Sequence, residues 1–177
     1  MPEPPIIIVT RGSALALAQA NMIFDQCRAT FPRLTFEVKI IKTTGDTQQA
    51  ASLGQAGKKL PKGLFTKELE VALIRRKADI AVHSLKDLPT ELPSGLTLGA
   101  VGKREDPCDV LIYKTNANFD GPISQLGKGA VVATSSTRRQ AQLRALRSDL
   151  RIEEIRGNVP TRLGKLAEND DLAGTLL

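Results

Sequence analysis

The 177-residue chain has no tryptophan, and aromatic residues make up only 3% of it. Proteins that hold single-stranded nucleic acid stack bases on aromatic rings, so that function class has little to work with here. No run of five or six basic residues offers a nucleic-acid tail instead. One histidine (His83) and two distant cysteines (Cys27 and Cys108), with no C-x-x-C, supply no metal-ligand set. The cysteines read as free thiols in a reducing compartment. No apolar run approaches the ~18 residues of a membrane span. Met1-Pro2-Glu3-Pro4-Pro5 has no basic segment, and Ile6–Val9 is too short for a signal peptide, so the cytoplasm is the default reading. There is no G-x-S-x-G, no G-K-[ST] P-loop and no H-E-x-x-H, which leaves hydrolase, nucleotide and zinc readings without a motif.

What the chain does have is positive charge: 25 Lys and Arg against 19 Asp and Glu, net +6. An anionic partner follows as the first expectation. With few aromatics and no basic run, the charge reads as scattered arginines lining a cleft rather than a DNA-binding stripe. Hydrophobic residues at 41% suit a globular protein, and the length allows one large domain or two small ones.

Strand-like and helix-like patterns alternate. Ile6–Val9 predicts a buried strand. Ser13 predicts the N-cap of a helix to about Ala29, with Leu15, Ala18, Met22, Ile23 and Cys27 inward. Phe36–Ile41 predicts a second strand. Residues 42–61 show no clear period, and connections that long are usually functional or mobile. Phe65, Leu69, Ala72 and Leu73 form one face of the next helix. Asp79–Val82 and Leu96–Val101 predict two more strands. The turn-rich Gly-Lys-Arg-Glu-Asp-Pro of 102–107 reads as a boundary between lobes 1–102 and 103–177. Beyond it, Val110–Tyr113, Ala130–Ala133 and Arg151–Ile155 predict strands. Ser136–Arg147 predicts a helix with Leu143 and Leu146 inward, and Asn158 caps another whose inner face is Val159, Leu163 and Leu166. The fold class is therefore α/β with mainly parallel sheets. Leu172–Leu177 begins a further apolar segment inside which the chain stops, and it reads as an unprotected stub of a truncated chain.

Three places combine charge with a strand end. His83-Ser84-Leu85-Lys86-Asp87-Leu88-Pro89 follows the apolar Ile80-Ala81-Val82, and open α/β sheets bind ligands at such ends. Thr10-Arg11-Gly12-Ser13 and Thr134-Ser135-Ser136-Thr137-Arg138-Arg139 each lead from a strand into a helix N-terminus, which favours anions. Two arginines in a first turn oppose the helix dipole and are unfavourable there unless something negative joins them. Arg156-Gly157-Asn158, with Arg162 one turn on, repeats the arrangement. Four arginines on one rim suit a ligand with several carboxylates. Arg11, Lys58, Lys59 and Lys62 add to them from the first lobe. Asp87, an acid among bases, reads either as a helix cap or salt-bridge partner of Lys86, or as a carboxylate that steadies a cationic intermediate. His83 reads as a buried, hydrogen-bonding histidine.

These blocks closely resemble the porphobilinogen deaminase family. They are Thr10–Ser13 with Leu15–Gln19, Gly63–Glu70, Ala81–Pro89, Arg104–Pro107, Thr134–Gln140, and Arg156–Asn158 with Thr161–Leu163, in family order over nearly the whole chain. The resemblance implies two lobes like those of periplasmic binding proteins, around a cleft, and a third domain. It also implies a transferase of porphyrin and heme biosynthesis that joins four porphobilinogen molecules head to tail into the linear tetrapyrrole hydroxymethylbilane, releasing ammonia each time. The chain grows on a dipyrromethane cofactor bonded to a cysteine. By the same resemblance Asp87 is the catalytic aspartate, which hydrogen-bonds pyrrole nitrogens and stabilises the azafulvene cation. Arg11, Arg138, Arg139, Arg156 and Arg162 bind acetate and propionate side chains. Ser13, Gln19, Lys62, Ser84, Lys86 and Ser136 match further cleft positions.

Two departures from the family pattern stand out. Lys58-Lys59-Leu60-Pro61 differs from the usual glycine-rich approach to Lys62. Neither Cys27 nor Cys108 lies in the context of the family's cofactor cysteine, so this reading expects the second lobe and third domain to be incomplete or absent and the chain to be inactive. It expects a monomer with porphobilinogen as partner and no nucleic acid, membrane or metal. The alternative is a two-lobe module that binds a polycarboxylate without chemistry.

Overall fold

In the computed structural model, which describes residues 3–44, 66–114 and 122–177, the first apolar run forms strand β1 (Ile6–Thr10). The chain divides into two compact units, Met1–Lys103 and Arg104–Leu177. Helix α1 (Ala14–Thr30), strand β2 (Phe36–Ile40), helix α2 (Lys67–Ile74) and strand β3 (Ile80–Ala81) complete the regular elements described in the first unit. Its sheet has the order β2-β1-β3 and is wholly parallel. The β3 pairing reaches past its two residues, since Asp79 N donates to Ile7 O (3.0 Å) and Val82 N to Val9 O (3.0 Å). Val9 packs with Leu69, Ala72 and Ala78, and Ile8 is fully buried. Each large side chain so buried contributes about 1.5–3 kcal/mol. Because the three strands run the same way, residues 10–13, 41–44 and 82–84 emerge at one edge.

Two expectations for this unit change. The inner face of α1 is turned from the one predicted. Ala20 is buried, while Leu15 and Met22 are exposed. Apolar residues surround this helix, so periodicity alone leaves its rotation open. Leu96–Val101 forms no strand, and Leu98 and Val101 are exposed. A strand needs a ladder partner, and none of the described strands pairs with this segment.

The second unit contains β4 (Leu111–Tyr113), β5 (Val131–Ala133), α3 (Thr137–Leu146), β6 (Arg151–Glu153), α4 (Val159–Glu168) and β7 (Leu172–Leu176). Its sheet order is β4-β7-β5-β6. β5 runs parallel to β6 and β7, whereas β4 runs antiparallel to β7, pairing Leu111 with Leu176 and Tyr113 with Gly174. The sheet is therefore mixed, with parallel pairs dominant. Val132 packs with Leu126, Leu143, Leu150 and Leu176. Its neighbours Val131 and Ala133 pack with Ile155, Leu166 and Leu172. Alternate residues of one strand thus bury opposite faces, one against α3 and the other against α4, as expected of an inner strand covered on both sides.

Leu172–Leu176, read from sequence as an unprotected stub, lies inside the sheet with β4 on one side and β5 on the other. Leu172, Thr175 and Leu176 are buried. Gly174 is required there, because a Cβ would stand 2.8 Å from the Ile112 carbonyl oxygen. Leu146 and Val159, expected inward, are exposed. Both sit at helix ends, Leu146 as the last residue of α3 and Val159 as the first of α4. Arg147, just past α3, forms a hub. Its guanidinium donates to both oxygens of Asp149 (2.7 Å each) and to the carbonyls of Ile123, Ser124 (3.0 Å each) and Leu126 (3.1 Å). Asp149 in turn accepts from Gly129 N at 3.1 Å.

Candidate functional site

In the first unit the edge at the strand C-termini gathers most of the predicted residues. Ser13 caps α1, its hydroxyl accepting from Ala16 N at 3.3 Å. Fully buried Thr10, at the end of β1, donates through its hydroxyl to Ala16 O (3.1 Å) and so ties strand to helix. After β3, the Ser84 hydroxyl donates to Gln19 Oε1 at 3.0 Å, which docks the His83–Asp87 segment on α1. Leu85–Asp87 then forms one 3-10 turn, with Asp87 N donating to Ser84 O at 2.9 Å. This turn leaves Lys86 exposed and Asp87 half-buried.

His83 lies beneath this turn. Burial pushes its pKa below the ordinary value; Asp87 opposes that shift and Arg11 reinforces it. Asp87 and Arg11 therefore both act on the same imidazole, and its Nε2 is buried with no hydrogen-bond partner among the described residues. The histidine expected to be buried and hydrogen-bonded is therefore half-buried and lacks a hydrogen bond at Nε2 among the described residues. Beyond β2, Thr44 donates to Glu68 through its amide (2.9 Å) and its hydroxyl. Burial pushes the Glu68 carboxyl up, but the Thr44 hydrogen bonds outweigh it and the net shift is downward. Lys62, Lys58 and Lys59 lie outside the described residues.

In the second unit β5 and β6 deliver the arginines. Ser136 caps α3, accepting from Arg139 N at 3.4 Å, and Asn158 caps α4, accepting from Thr161 N at 3.0 Å. The Ser135 hydroxyl bridges the two strand ends by donating to Ile155 O at 2.8 Å. Gly157 turns the chain between β6 and α4 with a φ of +122°, and a Cβ there would meet Thr161 Cγ2 at 2.7 Å. This turn presents the Gly157 carbonyl to Arg162, whose Nε donates to it at 2.8 Å.

The negative partner that the first-turn arginines require is Asp109, which sequence reasoning missed. Arg138 grips it with two prongs, Nη1 to Oδ2 at 2.7 Å and Nη2 to Oδ1 at 3.1 Å. Arg139 Nη2 adds a third bond to Oδ1 at 2.9 Å, and its Nη1 donates to Leu176 O at 3.3 Å. Hydrogen bonds from Arg138 and then Arg139 hold the Asp109 carboxyl well below the usual carboxylate range. Arg162 lies close enough to Arg139 to feel its charge. Burial first, and that repulsion second, lower the Arg162 pKa. Arg139 Nε is buried without an acceptor among the described residues. Arg156, expected on the same rim, pairs instead with Glu154 at 3.0 Å on an exposed surface. The cluster thus holds three guanidiniums against one carboxylate and favours a further anion, carboxylate above all.

That donor set fits the carboxylate side chains of a dipyrromethane, which Arg139 and Arg162 would hold in this unit. The two cysteines suit its attachment less well. Cys27 is half-buried on α1, and the Cys108 thiol is pushed up by its hydrogen bond with Asp106, away from the reactive thiolate. Among the described residues no helix is long and apolar enough to cross a membrane.

Residues 6–177 match the family model described as porphobilinogen deaminase, dipyromethane cofactor binding domain. The porphobilinogen deaminase of Desulforudis audaxviator is 52% identical over 163 residues, covering 92% of this chain and 50% of that protein. Those of Alkaliphilus metalliredigens and Desulforamulus reducens are 48% and 46% identical over 172 residues, 97% of this chain in each case. The chain spans about half the length of these relatives, which it covers to 52% and 53%. On the match over residues 6–177, joined to an α/β architecture with arginines at its strand ends, the chain belongs to the porphobilinogen deaminase family.

Proposed function

We propose that this chain is the cofactor- and substrate-holding part of a hydroxymethylbilane synthase, a transferase of cytoplasmic tetrapyrrole synthesis that condenses four porphobilinogen molecules. The observation that carries this reading is the family match over residues 6–177. The side chains support it in kind. Porphobilinogen carries carboxylates for arginines to bind, and its deamination develops positive charge for an aspartate to meet.

In this reading Arg139 and Arg162 of the second unit bind carboxylates through their remaining N–H donors, with Arg138 and Arg156 as further cations of that unit. Ser136 is a further contact there, and in the first unit the reading assigns ligand contacts to Arg11, Ser13, Gln19, Lys62, Ser84 and Lys86. Ser84 and Gln19 position the turn that bears Asp87, since their 3.0 Å bond anchors it to α1. Asp87 is the catalytic group, its carboxylate set against cationic charge on the substrate. Dipyrromethane, when bound, supplies the primer to which pyrrole units are added. The 177-residue chain, with only Cys27 and Cys108, is expected to bind porphobilinogen without sustained turnover.

A chimera tests the enzyme reading against the binding-module alternative. Residues 6–177 replace the matching half of the Desulforudis audaxviator protein. The chimera is expected to convert porphobilinogen to linear tetrapyrrole. Asp87→Glu in it is expected to abolish turnover while bound pyrrole remains. A folded chimera that binds porphobilinogen and never turns it over favours the binding module.

A further inference from the structure

Asp109 has no part in the reading above, yet it organises the arginines on which that reading depends. It lies two residues before β4, and its neighbour Val110 exchanges two backbone hydrogen bonds with Leu177 (3.0 and 2.9 Å). Its backbone is therefore tethered to the sheet through Val110. Its carboxylate, only 21% exposed, receives three hydrogen bonds from two guanidiniums. A guanidinium offers five N–H donors in a rigid plane. Arg138 has three engaged, two by Asp109 and one by Gln142 Oε1 at 3.0 Å. Arg139 has two engaged, one by Asp109 and one by the Leu176 carbonyl, so its plane is held at two points. The donors left on Arg139 include the buried Nε. Arg162, the nearby cation, repels Arg139, and Asp109 is the carboxylate that offsets this repulsion at the Arg139 guanidinium.

We infer that Asp109 is a positioning residue of the carboxylate site: by gripping Arg138 and Arg139 it fixes the Arg139 guanidinium plane so that the unengaged donors of Arg139 meet the carboxylate of an incoming ligand. The inference rests on the substrate reading above for the identity of that ligand, but the cluster can be probed without it. Asp109 keeps its bonds when the ligand binds, because Nη1 and Nη2 of Arg139 each retain a further N–H to donate to a second carboxylate.

The test is a double-variant cycle on the 177-residue chain, with Asp109→Asn, Arg139→Gln and the pair, read by calorimetric titration with porphobilinogen and, separately, with citrate. Thermal unfolding of each variant shows that the folded protein is being titrated. Asp109→Asn is expected to weaken binding about tenfold, the scale of one charge-assisted hydrogen bond. In the Arg139→Gln background it is expected to cost nothing further, a coupling that a purely structural role would not produce. Unchanged or tighter binding by Asp109→Asn, or the same loss in both backgrounds, overturns the inference while porphobilinogen binding keeps the substrate reading alive. Citrate binding with the expected coupling, but no porphobilinogen binding, sustains the inference and removes the substrate reading. Binding of neither anion overturns the inference.

Discussion

Gly157 sets the path from β6 into α4, and replacing it with alanine gives a cost that can be worked from the structure. At φ +122° an L-residue is strained, and a new Cβ would stand 2.7 Å from Thr161 Cγ2 and 2.8 Å from Thr161 Cβ. Rotating the threonine relieves only the first contact. The second requires the turn or the helix to move, and the Thr161 hydroxyl and amide are both bound to Asn158 Oδ1, at 2.7 and 3.0 Å. Backbone strain of about 1–3 kcal/mol plus a weakened cap of about 1 kcal/mol gives roughly 2–4 kcal/mol. With a urea slope of about 2 kcal/mol per M, the unfolding midpoint should fall by roughly 1–2 M. Tyr113 is the only tyrosine in a chain without tryptophan and packs against the core of the same unit, so its fluorescence reports this unfolding directly. Thr161→Ser, which removes Cγ2 and keeps the hydroxyl, should recover only part of the loss. A midpoint shift under about 0.3 M for Gly157→Ala, or full recovery by Thr161→Ser, would refute the argument from strain.

Leu143→Ala, in the buried cluster, should cost about 2–5 kcal/mol, and exposed Leu146→Ala less than about 0.5 kcal/mol, both read by urea unfolding. Arg147→Ala should unfold at lower urea than Arg144→Ala, because only Arg147 bridges Asp149 and three carbonyls. Asp109 and Asp149 both have folded pKa values depressed from 3.8, so the unfolded chain binds more protons in acid. Their contribution is full at neutral pH and should be lost as pH falls from about 3.8, a slope that Asp149→Asn flattens in acid titrations. His83, also depressed, is neutral in both states above its ordinary 6.5. Acidification below 6.5 favours the unfolded chain, and His83→Gln should remove that loss from stability measured between pH 7 and 5.

The strand-to-helix junctions were legible in the sequence because their signals are local. Ser13 and Asn158 each cap the helix they were expected to cap, Ser136 caps the helix it was expected to begin, and the apolar runs before them became strands. Helix rotation was less legible where apolar residues surround the helix, as at Leu15 and Met22 of α1. Asp109 was hidden for a different reason. An acid just ahead of a strand lies at the far edge of a parallel sheet, away from the strand C-termini. Only because β4 runs antiparallel to β7 does its start reach the edge where β5 delivers Arg138 and Arg139. Strand direction is a long-range property that no local pattern records. The demand for a counter-charge was visible in the adjacent arginines; its source was not.

The place of β7 has a consequence for how the chain is made. Of the described strands it is the latest in sequence, yet it enters between β4 and β5, which are synthesised earlier. Vectorial synthesis lets N-terminal units fold first, at about 5–20 residues per second. The described strands of the first unit, β1 to β3, can therefore pair on the ribosome while β4 and β5 still wait without their shared partner. Arg139 also takes one of its two anchors from the Leu176 carbonyl. The alignment of Arg139 is thus completed only on the arrival of β7: a nascent chain stalled before residue 172 carries Arg139 with Asp109 as an anchor and without the Leu176 carbonyl that holds its plane at a second point.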